Sequence, residues 1–291
     1  MPEFLGQVVF GLAIGSIYSL IAIGFSMIYR ATGLLHFAHP DLMMIGGMVG
    51  YTLATRTLLP MPVLFVLSGV VVGGLSCAID RFGFRPMRRR GAHLNLIIAT
   101  IGWSIILVNV ALFVWGTAPL SYPQPYLPKG TLVGGLVIVP QNLAMLGVGL
   151  LAMIILQAFF RRTVVGQALR ATAENPVAAQ LMGIRIERMM LLTFLLSGFL
   201  AGGAGVLVAS IVYANFDLGL IGIKAFAASV LGGFGHVAGA MAGGLLLGLL
   251  ETMGAFYLSS AFKDIIAYTL LILILLVRPN GLFGAGAARP D

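Results

Sequence analysis

Three places in this 291-residue chain hold residue types that could do chemistry. His36, His39 and Asp41 are close enough in sequence for a metal or proton site, since imidazole nitrogens and carboxylates are common ligands. No further His, Cys or carboxylate follows at ligand spacing, and the stretch is expected near a membrane boundary, where polar residues cost little, so no metal is expected. Glu251, within Gly248 to Thr252, either lines a pathway or anchors its helix by bonding a neighbour, because inward-facing membrane carboxylates serve both ends. Lys224 is expected to snorkel to the interface. Gly232 and Gly233 break an apolar run and, with His36, His39, Asp41 and Glu251, are candidates for a pathway or gate.

Assembled catalytic patterns are missing from the sequence. The four histidines fit no H-E-x-x-H pattern, and Lys129, Lys224 and Lys263 follow Pro, Ile and Phe rather than Gly, so no G-x-x-x-x-G-K-[ST] loop exists. An ATP-driven role therefore requires a separate nucleotide-binding subunit. Cys77 is the single cysteine, which leaves neither a disulfide framework nor a cysteine metal cluster. No catalytic, cofactor-binding or metal residue is expected, and the chain reads as a non-enzyme.

The elements that position these groups follow from composition. Hydrophobic side chains make up 59% and charged ones 9%, against about 25% charged in soluble domains, and mean hydropathy is +1.05. Soluble enzymes, nucleic-acid binders and disordered tails are excluded, and an all-α polytopic membrane bundle is expected. A span needs roughly 20 apolar residues. The candidates are Leu5–Tyr29, Leu42–Leu58, Met61–Ile79, Leu94–Trp115, Asn142–Phe160, Met189–Val212, Ile221–Phe234, Val237–Phe256 and Ala261–Val277. That makes eight or nine segments in one transmembrane domain, 1–291. Leu5–Tyr29 is too long for a signal h-region and should remain as the first span. Ile221–Phe234 is short, and Gly33–Gly50 mixes His36, His39, Pro40 and Asp41 with apolar residues. Both are expected to be broken or re-entrant, which places them near a pathway rather than against lipid.

Charge sets the orientation. Lys and Arg number 17 against 9 Asp and Glu, for a net charge of +8. Arg81, Arg85, Arg88, Arg89 and Arg90 fall in Asp80–His93, while Arg161, Arg162, Arg170, Arg185 and Arg188 fall in Arg161–Arg188. Both loops are expected in the cytoplasm. The loop between the two intervening spans carries Pro119, Pro123, Pro125, Pro128 and Lys129, and parity puts the C-terminus, with Arg278 and Arg289, inside. Glycines recur four apart, as at Gly11/Gly15, Gly69/Gly73, Gly198/Gly202 and Gly244/Gly248, a spacing that lets helix backbones approach closely.

The long basic loop 161–188 contains a helix of its own. Asn175 suits an N-cap, Pro176 the first helical position and Gly183 the exit. The result is about two turns, roughly 10 Å, over Pro176–Met182. Such a helix either docks into a groove of a partner protein or lies on anionic membrane lipid.

Four segments resemble the branched-chain amino-acid ABC transporter permease family, of the LivH type. Ala178, Ala179 and Gly183 match the Ala-Ala-x-x-x-Gly part of the importer coupling loop, with Val177 in place of its glutamate. Gly33 to Gly46, reading GLLHFAHPDLMMIG, resembles G-x-x-N-F-A-H-G-[ED]-x-M-M-x-G, except that His36 and Pro40 stand where Asn and Gly are usual. Lys224 to Gly235, KAFAASVLGGFG, is similar to K-A-F-x-A-x-V-L-G-G-x-G, and Pro279 to Gly284, PNGLFG, to a P-x-G-[IL]-[FL]-G ending.

The resemblance implies an inner-membrane importer subunit moving branched-chain or related amino acids. A homologous permease, two ATP-binding ATPase subunits and a periplasmic substrate-binding protein would complete the assembly. It implies a coupling role for Pro176, Ala178, Ala179, Leu181 and Gly183, and charge at Ala179 or Gly183 is expected to uncouple transport. The alternatives are an ion-coupled carrier of small polar solutes built on Glu251, and an ABC permease for urea or short amides.

Overall fold

The computed structural model describes residues 2–57, 59–88, 93–123, 131–133, 136–278 and 280–284. Leu58, Arg89, Arg90, Pro125, Pro128, Lys129, Pro279 and Arg289 lie outside the described residues. In chain order come α1 (Pro2–Thr32), α2 (His39–Thr57) and α3 (Met61–Ile79), which continues through a π-helical turn, Asp80–Phe84, into α4 (Arg85–Arg88). Then follow α5 (His93–Trp115), a two-stranded antiparallel hairpin of β1 (Thr131–Val133) and β2 (Leu136–Ile138), and α6 (Pro140–Arg162). α7 (Val164–Glu174), α8 (Pro176–Leu181), α9 (Ile186–Ala209), α10 (Leu218–Gly232), α11 (Val237–Tyr257) and α12 (Lys263–Val277) complete the chain.

Among the described residues, 7 helical stretches are long and apolar enough to cross a membrane. α2, which carries His39, Asp41 and Arg56, and the shorter α10 match the other two of the nine expected segments. Both are the segments whose sequence suggested interruption. Starts and stops follow local chemistry: Pro140 and Pro176 occupy first turns, where the missing N–H has no helical partner anyway.

Glycine stripes join the helices. A Cβ on Gly15 of α1 would lie 2.8 Å from the Leu245 backbone of α11, and one on Gly198 of α9 would lie 2.9 Å from the Val72 carbonyl of α3. Gly73 faces the Leu195 carbonyl in return. Small residues thus let backbones meet where lipid supplies no hydrophobic drive. Serines bond across the seams: Ser68 donates to the Gly46 carbonyl at 2.7 Å, Ser19 to that of Met241 at 2.6 Å, and the Ser26 and Ser229 hydroxyls are 2.8 Å apart. α1 and α9 form the centre, each 72% buried over its apolar window, whereas α5 and α12 are peripheral at 17% and 6%.

Candidate functional site: a cavity between two helix starts

The chain leaves α1 at Thr32, turns through residues 33–38, and starts α2 at His39 beside Gly24 of α1. From Gly24 to Thr32 is eight residues, roughly 12 Å of helix. The segment therefore folds back into the bundle. His36 and His39 are 2% and 0% exposed, so both side chains are packed inside the protein. α1 outlasts the expected span and carries the turn past the level at which α2 begins.

α10 also begins inside the bundle, against the start of α2. Cβ atoms on Gly222 and Gly219 would lie 2.7 Å from Pro40 and 2.6 Å from the Asp41 carboxylate. Each of the two is one continuous helix rather than a broken one, α2 of 19 and α10 of 15 residues, and their first turns touch with Asp41 at the seam. Their N-terminal ends open on a cavity of about 560 Å³, walled by α1, α2, α5, α10 and the 33–38 turn. Phe25, Val108 and Phe226 give it apolar surface, while His36, Asp41 and Asp217 give it polar groups. Helix N-termini carry partial positive charge from unsatisfied N–H groups. The cavity accordingly offers both signs of charge beside an apolar wall.

The His36 ring stands edge-on to Phe84 at 5.2 Å and to Phe194 at 5.8 Å, and neither ring nitrogen has a hydrogen-bond partner among the described residues. His39 packs on Phe25 at 4.7 Å, with its Nδ1 3.4 Å from the Ser197 hydroxyl. The two imidazoles are 6.1 Å apart, and no three His, Cys, Asp or Glu side chains gather among the described residues.

The other candidates lie elsewhere. Glu251 and Lys224 do not line this cavity. Lys224 Nζ donates to Glu251 at 2.7 Å and meets Asp264 at 2.5 Å, while Lys263 is 3.9 Å from Glu251. Lys224 is therefore a buried ion-pair partner rather than a free cation at the interface, and Glu251 links α11 to α10 through it. The hint lay in the composition, since a lone buried lysine and a lone buried glutamate in neighbouring spans are each costly until paired.

Gly232 and Gly233 close the far end of α10 and are also absent from the cavity lining. Gly233 has φ +106, a conformation that a Cβ disfavours. Here the segment 281–284 docks: the Leu282 and Phe283 N–H groups donate to the Leu231 and Gly232 carbonyls at 2.9 and 3.2 Å. Two of the sequence motifs are thus one structural unit.

On the arginine-rich side, the Asn175 side chain accepts from the Ala178 N–H at 3.0 Å, and Gly183 leaves α8 at φ +84. The short helix is present as spaced, ending at Leu181 rather than Met182. Leu181 and Met182 are 84% and 82% exposed, whereas Ala179 is 4% exposed and faces its own chain. Arg30 pairs with Glu174 at 3.1 Å, and Arg85 pairs with Glu187, so the loop is tied to α1 and α4.

A membrane bundle in which two helices start against each other at a mixed-charge cavity, with a protruding two-turn helix on the basic side, is a transport permease in architecture. The chain belongs to the branched-chain amino acid transport system permease component family, whose model matches residues 7–275. It is 38% identical to the high-affinity branched-chain amino acid transport system permease protein BraD of Pseudomonas aeruginosa, over 100% of this chain and 99% of that protein. It is 36% identical to LivH of Escherichia coli K12, a permease protein of the same description, over 99% of this chain and 96% of that one. Among solved structures, PsaBC from Streptococcus pneumoniae in complex with Fab matches in fold at TM-score 0.52 and 13% identity, covering 96% of this chain and 93% of that one.

Proposed function

We propose that this chain is the membrane subunit through which an ATP-driven importer passes branched-chain or related amino acids across the bacterial inner membrane. The observation that carries the substrate reading is the cavity itself. An amino acid presents a carboxylate, an ammonium and an apolar side chain, and the cavity sets two helix N-termini, Asp41 with Asp217, and Phe25 with Phe226 around one volume. Half-helix N-termini oriented toward a carboxylate are a recurrent transporter device. The names of the relatives point to the same substrate class.

Energy enters through α8. Its exposed Val177, Leu181 and Met182 form an apolar face held clear of the bundle, suited to a groove in an ATPase subunit. Pro176 and Asn175 fix where the helix starts and Gly183 where it ends, so Ala178 and Leu181 ride on a rigid lever. ATP binds to two partner ATPases and no cofactor is held by this chain, a single permease domain. A homologous permease completes the pore, and a periplasmic binding protein delivers substrate. The positive-inside rule puts the arginine loops and the C-terminus in the cytoplasm. An ion-coupled carrier loses its principal support, because Glu251 is engaged by Lys224.

The test is purification of the chain from native membranes in mild detergent, with identification of what co-purifies and assay of ATPase activity stimulated by the delivery protein loaded with leucine, isoleucine or valine. Co-purifying ATPases with leucine-stimulated turnover support the reading. An ATPase-silent chain whose uptake collapses with an ionophore while ATP remains would replace it with the carrier.

A further inference from the structure

A second groove runs between α3, α6 and α9, apart from the cavity just described, and encloses about 630 Å³. Every lining residue is apolar or glycine, with Phe65, Leu151, Ile155, Leu196 and Phe199 the largest contributors. Along α6 it extends from Ala144 to Phe159, a stripe at three- and four-residue spacing and roughly 22 Å long. One leaflet of a bilayer supplies about 15 Å of hydrocarbon, so the slot accommodates a whole acyl chain. Gly147 opens into it: a Cβ there would meet nothing within 4 Å.

No charged residue lines the groove itself, but arginines follow along both helices beyond its Phe159 end, Arg188 standing eight residues, roughly 12 Å, before Leu196 on α9. Arg162 continues the α6 stripe three residues beyond Phe159, and Arg185 and Arg188 open the facing helix α9. Neighbouring arginines are occupied, with Arg30 on Glu174, Arg85 on Glu187 and Arg88 on Asp80. Arg162, Arg185 and Arg188 are exposed and have no ion-pair partner among the described residues. A polar-free slot that leads to uncompensated guanidinium groups is complementary to one kind of molecule, an apolar chain ending in an anion. Basic ends of clefts between membrane helices recognise anionic headgroups in this way, and guanidinium suits a phosphate.

We propose that the groove holds an acyl chain of an anionic phospholipid, whose phosphate is bound by Arg162 and Arg188. The lipid acts as a wedge between α6 and the α3–α9 pair. Because α7 and α8 follow α6 directly, its presence fixes the angle at which the coupling helix leaves the bundle.

The test uses the intact transporter, reconstituted in mixed phosphatidylglycerol and phosphatidylcholine vesicles and re-extracted for native mass spectrometry. The expected result is phosphatidylglycerol retained on the wild-type complex and lost in Gly147→Phe, whose ring enters open space and leaves folding intact. Arg162→Gln with Arg188→Gln should lower the preference for phosphatidylglycerol over phosphatidylcholine roughly thirtyfold, at about one unit of headgroup attraction per arginine. Equal retention by Gly147→Phe and wild type would overturn the site. So would an unchanged preference in the double variant. Loss of a partner subunit from Gly147→Phe at an unchanged lipid count would make the groove a protein seam instead.

Discussion

Lys224 Nζ and Glu251 Oε1 stand 2.7 Å apart with the glutamate fully buried, joining α10 to α11. Removing Lys224 leaves the buried Glu251 carboxylate with only Lys263, 3.9 Å away, and loss of one partner of a buried pair costs about 3–5 kcal/mol at most, whereas replacing both with apolar residues is close to neutral. Lys224→Met should therefore lower the thermal unfolding midpoint in detergent sharply, and Lys224→Met with Glu251→Met should recover most of the loss. A double variant as damaged as the single one would show that the pair is not the anchor described.

The proposed coupling role of α8 allows a paired comparison. Leu181 is exposed and Ala179 buried against its own chain, so aspartate at the two positions should fail in different ways. Leu181→Asp should leave folding and yield intact while abolishing substrate-stimulated ATPase activity. Ala179→Asp should reduce folded yield, because the charge meets the protein itself. Normal uptake by Leu181→Asp at normal expression would remove α8 from the coupling role.

Asp41 sits where the first turns of α2 and α10 meet. Asp41→Asn keeps the shape and removes the charge. If the carboxylate receives the substrate ammonium, uptake should fall about tenfold or more, the worth of one charged hydrogen bond, with subunit assembly and basal ATPase activity unchanged. Uptake assays on membranes with matched transporter content decide this. His36→Asn, which restores a side-chain amide at the unpartnered ring position, should alter the ranking of competing amino acids more than the maximal rate.

Gly198 packs 2.9 Å, measured from an added Cβ, beneath the Val72 carbonyl. Gly198→Leu must separate α9 from α3, and overpacking of this kind costs about 1–3 kcal/mol or more. Folded yield by size-exclusion chromatography should drop steeply, while Gly74→Leu, which meets nothing within 4 Å, should not change it.

Much of this arrangement was legible in the residues because it is local. Hydropathy runs located the membrane helices, the polar and proline-bearing stretch around His36 to Asp41 marked the turn before α2, and Asn175, Pro176 and Gly183 bounded α8, whereas the amphipathic α7 (Val164–Glu174) inside the same loop was missed because it is too short and polar for a span. What the sequence left open involved distances between helices. The engagement of Glu251 by Lys224 and Asp264 depends on three helices meeting. The depth of His36 depends on how far α1 outlasts its apolar core. The docking of residues 281–284 on Gly232 pairs segments about fifty positions apart, and spacing within one helix carries no record of such contacts.

The ion network has a consequence for how the chain enters the membrane during synthesis. α10 is only 15 residues long and carries Lys224 in its second turn, and a lysine deep in an isolated span opposes insertion by roughly 3 kcal/mol. Its partners Glu251 and Asp264 emerge from the ribosome later, on α11 and α12. The expected outcome is that the last three helices integrate as one unit, α10 waiting for its counter-charges. Chains truncated before Glu251 should leave α10 uninserted in a glycosylation-mapping assay, and stable insertion of that truncated form would show that α10 enters the bilayer unaided.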